Sequence, residues 1–179
     1  MRIISGKAKG TKLLLPRSTT VRPTQDRIKE TLFQILTPYL LDSIVLDLFA
    51  GTGSLGLEAL SRGASSAVFV DKDPHSTALI FKNAEKTRLA PHIKVYKKSV
   101  RAFLKQYDAT TSGLFSLVFL DPPYQARLLL PALKILPPLL REQAIVVTEA
   151  QSVLPEQISE LKLWRTLSFK NTIISLFKY

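Results

Sequence analysis

From residue 44 onward the chain alternates between two hydrophobic rhythms. Short strand-like runs occupy 44–49 (IVLDLF), 67–71 (AVFVD), 93–97 (IKVYK), 115–121 (FSLVFLD) and 143–150 (QAIVVTEA). Between them lie segments whose apolar positions recur every three or four residues: 55–63 (LGLEALSRG), 75–89 (HSTALIFKNAEKTRL), 100–107 (VRAFLKQY) and 128–136 (LLLPALKIL). Runs of five to eight largely apolar residues, each followed by a helical segment, predict parallel strands with both faces covered. The tail, LKLWRTLSFKNTIISLFKY, has two extended runs around Lys170 and Asn171 and predicts a closing hairpin at the sheet edge. The expectation is an α/β fold with a doubly wound, mostly parallel, seven-stranded sheet.

Two elements precede this pattern. RIISGKAKGTKLLLP, from Arg2 to Pro16, has two apolar runs around a Gly- and Lys-containing turn and predicts a hairpin. In RPTQDRIKETLFQIL, Pro23 precedes Thr24 as a helix cap, and Ile28, Leu32, Ile35 and Leu36 form a core-facing stripe on a helix over 24–38. We divide the chain into an extension, 1–22, and a main domain, 23–179.

Composition adds a partner to this outline. A length of 179 residues with 46% hydrophobic and 22% charged residues suits one folded domain. Lys and Arg outnumber Asp and Glu by 25 to 14, and the net charge of +11 points to a polyanion. The charge is segregated: residues 1–30 carry eight basic side chains against two acids and 82–105 carry eight against one, whereas 42–80 carry two against five. Two basic zones therefore flank an acidic one suited to a cationic ligand. The most apolar stretch, 128–140, is interrupted by Lys134 and three prolines, and the N-terminus has no signal-like apolar core, so a cytoplasmic protein is expected. No cysteine and only two histidines, His75 and His92, leave little for a metal site, and none is expected.

Ligands of such sheets bind at the carboxyl ends of the strands, where strand order switches. Those ends are Asp47–Gly53, Asp71–Asp73, Lys98–Val100 and Asp121–Tyr124. Residues 51–56, GTGSLG, match G-x-G-x-x-G, with Asp71 twenty residues beyond Gly51, which by itself would suggest a dinucleotide. Asp47 before the loop and the acids of VDKD after the next strand would repel a pyrophosphate and attract a cation. S-adenosylmethionine carries an ammonium and a sulfonium: Asp47 can hold its amino-acid end, and Asp71 can accept from its ribose hydroxyls.

The second motif is FLDPPY, 119–124. Two prolines fix two φ angles and remove two N–H donors, leaving a stiff turn with free acceptors. The Asp121 carboxylate and Pro122 carbonyl can grip both hydrogens of an amine on a planar ring. Pro123 stiffens the turn and Tyr124 offers a stacking face. An exocyclic base nitrogen shares its lone pair with the ring, so gripping both hydrogens turns that pair toward an electrophile. Asp121 can also receive the surplus proton.

DLFAGTGSLGLEALSRGA, FVDKDP and DPPY, in this order, resemble the Rossmann-type amino-methyltransferases. RIISGKAKGTKL, VRPTQDRIKETLFQIL and the tail NTIISLF are similar in detail to the bacterial small-subunit (16S) ribosomal RNA guanine-N2 methyltransferases. The resemblance implies transfer of a methyl group from S-adenosylmethionine to a guanine N2 amine, with 16S rRNA or the small subunit as partner and a monomeric enzyme. It places Asp47, Gly51 and Gly53 around the amino-acid portion of the cofactor, Asp71 at its ribose and Asp121–Tyr124 at the target amine, with Phe49, Ala50, Thr52 and Lys72 also among the cofactor-binding residues. Ser99 and Val100 stand where the family shows Asn or Asp followed by Ala at the adenine. Arg22 and Thr24 match an Arg-Pro-Thr element that either touches RNA or cofactor or serves as a surface charge and helix cap. Arg2, Lys7, Lys9 and Lys12, with the zone around Lys86, Arg88, Lys97, Lys98 and Arg101, would hold phosphates. Three alternatives remain on residues alone. A DNA adenine-N6 or cytosine-N4 methyltransferase would use the same acceptors, an NAD-dependent oxidoreductase would use the glycine loop, and an inert RNA-binding domain would leave DPPY without a role.

Overall fold

The computed structural model describes residues 1–16, 23–122 and 126–179. Arg22, Pro123 and Tyr124 lie outside these residues, as do the side chains of Pro23, Thr24 and Gln25.

The five strand-like runs become β1 (Ile44–Leu48), β2 (Ser66–Asp71), β3 (Ile93–Lys97), β4 (Phe115–Leu120) and β5 (Leu140–Ala150), neighbours pairing in parallel. The helical segments become α2 (Ser54–Ser61), α3 (Pro74–Lys86), α4 (Val100–Gln106) and α6 (Ala126–Ile135), preceded by α1 (Pro23–Leu36) and joined by a single turn, α5 (Ala109–Ser112). The tail forms β7 (Leu161–Phe169) and β8 (Thr172–Lys178), an antiparallel pair. β8 inserts beside β5, giving the order β3-β2-β1-β4-β5-β8-β7-β6. The sheet has eight strands, one more than expected, because Gln157–Ile158 (β6) pairs with Lys162 and Leu161 at the far edge. Two residues are too few to show a hydrophobic period, so this strand leaves no trace in sequence.

Side chains alternate across the sheet. Val45, Phe69, Phe119 and Val147 enter one core with Leu32 and Phe33 of α1, Leu57 of α2 and Ile80 of α3. Leu46, Val68, Val118 and Val146 enter the other, with Phe103 of α4 and Leu129 and Leu133 of α6. Phe33, Phe69 and Phe119 are fully buried, each contributing about 1.5–3 kcal/mol of transfer free energy. The chain reverses its direction of winding between β1 and β4, which is the switch point.

α1 begins at Pro23, so Thr24 stands inside the first turn instead of at the cap; proline favours that first position because its missing N–H would have no partner there. The helix ends at Leu36 and tightens into a 3-10 turn over Thr37–Tyr39, because Pro38 has no N–H to donate to the Gln34 carbonyl. The opening segment makes one isolated antiparallel bridge, Arg2 with Lys12, in place of two strands. Gly6 and Gly10 have φ of 83° and 84° and curl the residues between them. A Cβ on Gly6 would lie 1.8 Å from the Ser61 carbonyl oxygen, so the turn presses on the end of α2. Ile3, Ala8 and Leu13 are buried in the same core as Phe33 and Leu57.

Candidate active site

The loop between β1 and α2 is built from backbone geometry that few residues tolerate. Phe49, Gly51 and Gly53 have φ of 61°, 55° and 75°, and the Gly53 N–H closes the turn on the Ala50 carbonyl at 2.8 Å. A Cβ on Gly51 would meet only the Phe49 carbonyl, at 4.0 Å, so a ligand can approach this backbone closely. Gly56 acts through packing instead. A Cβ there would lie 2.4 Å from the Phe69 ring, so its absence sets how near α2 packs to the sheet.

Three acids surround the loop, each held differently. Asp47 is 2% exposed, and its Oδ2 accepts from the Gly56 N–H at 2.9 Å, at the start of α2. Burial pushes its carboxyl up to about 8; the Gly56 N–H opposes the shift, and the charges of Asp121 and Asp71 add to it. Asp71 accepts from the Gly51 N–H through Oδ2 and the Asp73 N–H through Oδ1, both at 2.9 Å, which fixes the loop to the end of β2. Asp73 caps α3, accepting from the N–H groups of His75 and Ser76, and the first of these leads in holding its carboxyl below the usual range.

A cleft of about 390 Å³ opens across the switch point. Asp47, Phe49, Ala50, Gly51 and Thr52 form one wall, and Asp121, Thr148 and Glu149 form the other. Asp121 meets solvent in the cleft and accepts no hydrogen bond from a described residue. Crowding by the cleft walls first, and the charge of Glu149 second, push its carboxyl up. Glu149 is half-buried at the end of β5 and is also raised by desolvation, which the Thr172 hydroxyl partly offsets by donating to Oε1 at 3.3 Å. Pro122 is buried beside them.

Of the residues singled out in sequence, the fold thus gathers Asp47, Phe49, Ala50, Gly51, Thr52 and Asp121 on one cleft. Gly53 and Asp71 stand behind its wall, and Lys72 is exposed beyond the strand end. Ser99 accepts from the Ala102 N–H at 3.2 Å as the cap of α4, and Val100 is buried; neither lines this cleft. Lys7, Lys9 and Lys12 are exposed, as are Lys86, Arg88, Lys97, Lys98 and Arg101. Arg2 is exposed and pairs with Asp26 at 3.5 Å.

Two groups of the cleft escape sequence reasoning. Glu149 reads only as part of a strand, because a single acid in VVTEA carries no motif. Lys29, on the polar face of α1, also lines the cleft at 5% exposure. Its ammonium lies 3.2 Å from fully buried Glu58 and donates to the Arg2 carbonyl at 2.6 Å and the Ser54 hydroxyl at 3.2 Å. Glu58 also accepts from Arg62 and from the N–H groups of Ile4 and Ser5. With the Lys29 charge committed to Glu58, the cleft retains its acidic character. Among the described residues no group of three or more His, Cys, Asp or Glu side chains could hold a metal, and no helix is long and apolar enough to cross a membrane.

Comparison with known proteins finds relatives along nearly the whole chain. A family model described as conserved hypothetical protein 95 matches residues 1–178. The chain is 35% identical over 182 residues to the "Putative rRNA methyltransferase YlbH" of Bacillus subtilis, covering 99% of this chain and 98% of that protein. It is 37% identical over 153 residues to "Ribosomal RNA small subunit methyltransferase D" of Escherichia coli K12, covering 84% and 75%. A solved Escherichia coli structure, "Putative methyltransferase yhhF", superposes with a TM-score of 0.88 at 33% identity over 99% of this chain and 97% of that one.

Proposed function

The chain belongs to the conserved hypothetical protein 95 family, and from that premise we propose that it transfers a methyl group from S-adenosylmethionine to the exocyclic N2 amine of a guanine in 16S ribosomal RNA. The names of two relatives, which specify ribosomal RNA methyltransferases, support the reaction and the substrate class. The choice of an amine rests on Asp121, an acceptor without a protein donor among the described residues, beside the buried Pro122 at the mouth of the acid-lined cleft.

The residues present fit this cofactor. Asp47, enclosed yet lining the cleft, suits an ammonium; the open backbone at Gly51 admits the chain that carries it; Asp71, whose two oxygens hold the Gly51 and Asp73 N–H groups behind the wall, would accept from the ribose hydroxyls through its remaining lone pairs. A pyrophosphate would face the same acids at a cost, which disfavours the dinucleotide reading. When bound, S-adenosylmethionine supplies a methyl carbon made electrophilic by its sulfonium. The rest is done by the chain. The Asp121 carboxylate and Pro122 carbonyl accept the two amine hydrogens and turn the nitrogen lone pair into the cleft. As the N–C bond forms and the S–C electrons return to sulfur, the nitrogen becomes positive, and Asp121 stabilises it and takes one proton. Tyr124 stacks on the base. The base leaves its helix or loop to reach this pocket, which costs least in a single strand.

Residues 1–22 and the exposed lysines and arginines of α3, β3 and α4 hold phosphates, so that log affinity for RNA falls against log salt by roughly 0.7 per contacted phosphate. The protein acts as a cytoplasmic monomer.

The test incubates the protein with labelled methyl donor and either 16S rRNA or small subunits, then identifies the modified nucleoside by mass spectrometry. N2-methylguanosine at one position is expected. Label confined to DNA, to another base or to another guanine nitrogen would overturn the proposal.

A further inference from the structure

The grip on the amine does not by itself choose guanine. Adenine N6 and cytosine N4 amines also offer two hydrogens, and Asp121 with Pro122 would hold either. What differs is the ring atom beside the amine. In guanine it is N1, which bears a hydrogen; in adenine and cytosine it is a nitrogen lone pair.

Glu149 stands beside Asp121 on the wall of the same cleft. The β4–β5 register sets Phe119 opposite Val147 and Leu120 opposite Thr148, so Asp121 and Glu149 follow side by side at the strand ends. The alternation puts both on the face of Phe119 and Val147, and both line the cleft. Adjacent strands lie roughly 4.8 Å apart, a separation that side chains converging on one cleft can close to meet neighbouring atoms of one base edge. The Thr172 hydroxyl engages Glu149 Oε1, fixing the carboxyl, while Oε2 has no protein donor among the described residues.

We propose that Glu149 is the specificity residue for the base: its carboxylate accepts the guanine N1–H while Asp121 and Pro122 hold the adjacent N2 amine. Guanine then presents three hydrogens to three acceptors. Adenine or cytosine would turn a lone pair toward a carboxylate, leaving two acceptors facing each other with water excluded. A site built to bind a substrate N–H rejects an analogue that lacks it far more strongly than an apolar pocket rejects a missing methylene. This inference rests on the guanine-N2 reading and adds the reason for the base.

The test uses an RNA substrate whose mapped target guanine is replaced by 2-aminopurine, which keeps the C2 amine but has a lone pair at N1. The wild-type protein is expected to prefer guanine by about 10²-fold or more in kcat/KM. Glu149→Gln, whose amide can present either N–H or C=O, should bring the two substrates within about tenfold of each other by losing rate on guanine and gaining it on 2-aminopurine. Taking the ratio of ratios cancels the missing O6 and any general loss of activity. Unchanged donor affinity by calorimetry and an unchanged Tm check that the variant is folded. Equal use of both bases by the wild type overturns the proposal without any variant, and an undiminished preference in Glu149→Gln overturns it as well. If the wild type methylates guanine at a site other than N2, the proposed function fails first, and that outcome is read from the wild-type product alone.

Discussion

The most direct consequence of the acid-lined cleft is that donor binding should release a proton. Asp47 is buried, and its carboxyl is pushed up to about 8 in the free protein. At pH 7 the acid form therefore outnumbers the carboxylate about tenfold, and the site holds about 0.9 proton. An ammonium or sulfonium seated against it would lower its pKa by about 1–3 units. The bound site then keeps about 0.5 proton at the weak end and almost none at the strong end, so binding releases about 0.4–0.9 proton. Calorimetry in buffers of different ionisation enthalpy reads this number as the slope of the observed heat. Asp47→Asn should remove the Asp47 share of the release, leaving only what Asp121 and Glu149 give up, and should weaken donor binding; the Asp47 share should fade as the pH approaches 9. An anionic dinucleotide would raise the pKa and take up protons, so the sign alone separates the two cofactor readings. Release below about 0.1 proton at pH 7, or the same release in Asp47→Asn, would refute the assignment. A stability effect accompanies it. The folded-state pKa lies above the unfolded value of about 3.9, so this contribution is fully present below pH 4 and is lost as the pH rises toward about 8. Asp47→Asn keeps an acceptor for the Gly56 N–H and should raise the Tm of the free protein at pH 8 while leaving it little changed near pH 4.

Three further outcomes follow from particular contacts. Gly56→Ala would place a Cβ 2.4 and 2.6 Å from two carbons of the buried Phe69 ring, and the required shift should cost about 1–3 kcal/mol, read as a lower urea midpoint at unchanged slope. A loss below about 0.3 kcal/mol would mean the ring has room. Glu58→Ala removes the partner of Lys29 and Arg62 and of two N–H groups in the opening segment, and should cost about 3–5 kcal/mol. Amide exchange at Ile4 and Ser5 should rise well beyond that of the global core, and equal protection in the variant would show that the segment is held by other means. Asp121→Ala should lower the single-turnover methylation rate by about 10²-fold or more while changing donor affinity less than about threefold; an unchanged rate removes it from the chemistry.

Much of this architecture was readable from local pattern. Five strand-like runs and four of the intervening helices lie where the hydrophobic rhythm put them, because burial on both faces of a parallel sheet demands apolar runs that survive in composition. The glycine loop was equally legible: Gly51 and Gly53 adopt positive φ, and that requirement is written in residue type. β6 and the irregular form of the opening segment were not legible. The first is two residues long, and the second is shaped by Gly6 meeting the Ser61 carbonyl, 55 residues away.

For the site, sequence alone determined which residues could do chemistry and where strands would end, since carboxylates, glycines and prolines declare their local physics. It did not determine how those ends would be shared. Glu149 becomes a neighbour of Asp121 only through the β4–β5 register, and Lys29 becomes a cleft residue only because the fold brings it to Ser54 and Glu58 of α2. The raised Asp47 carboxyl needs both the burial supplied by the packed fold and the charges of acids 24 and 74 residues away. Pairing, burial and long-range charge are properties of proximity between distant segments, and only the folded chain brings those segments together.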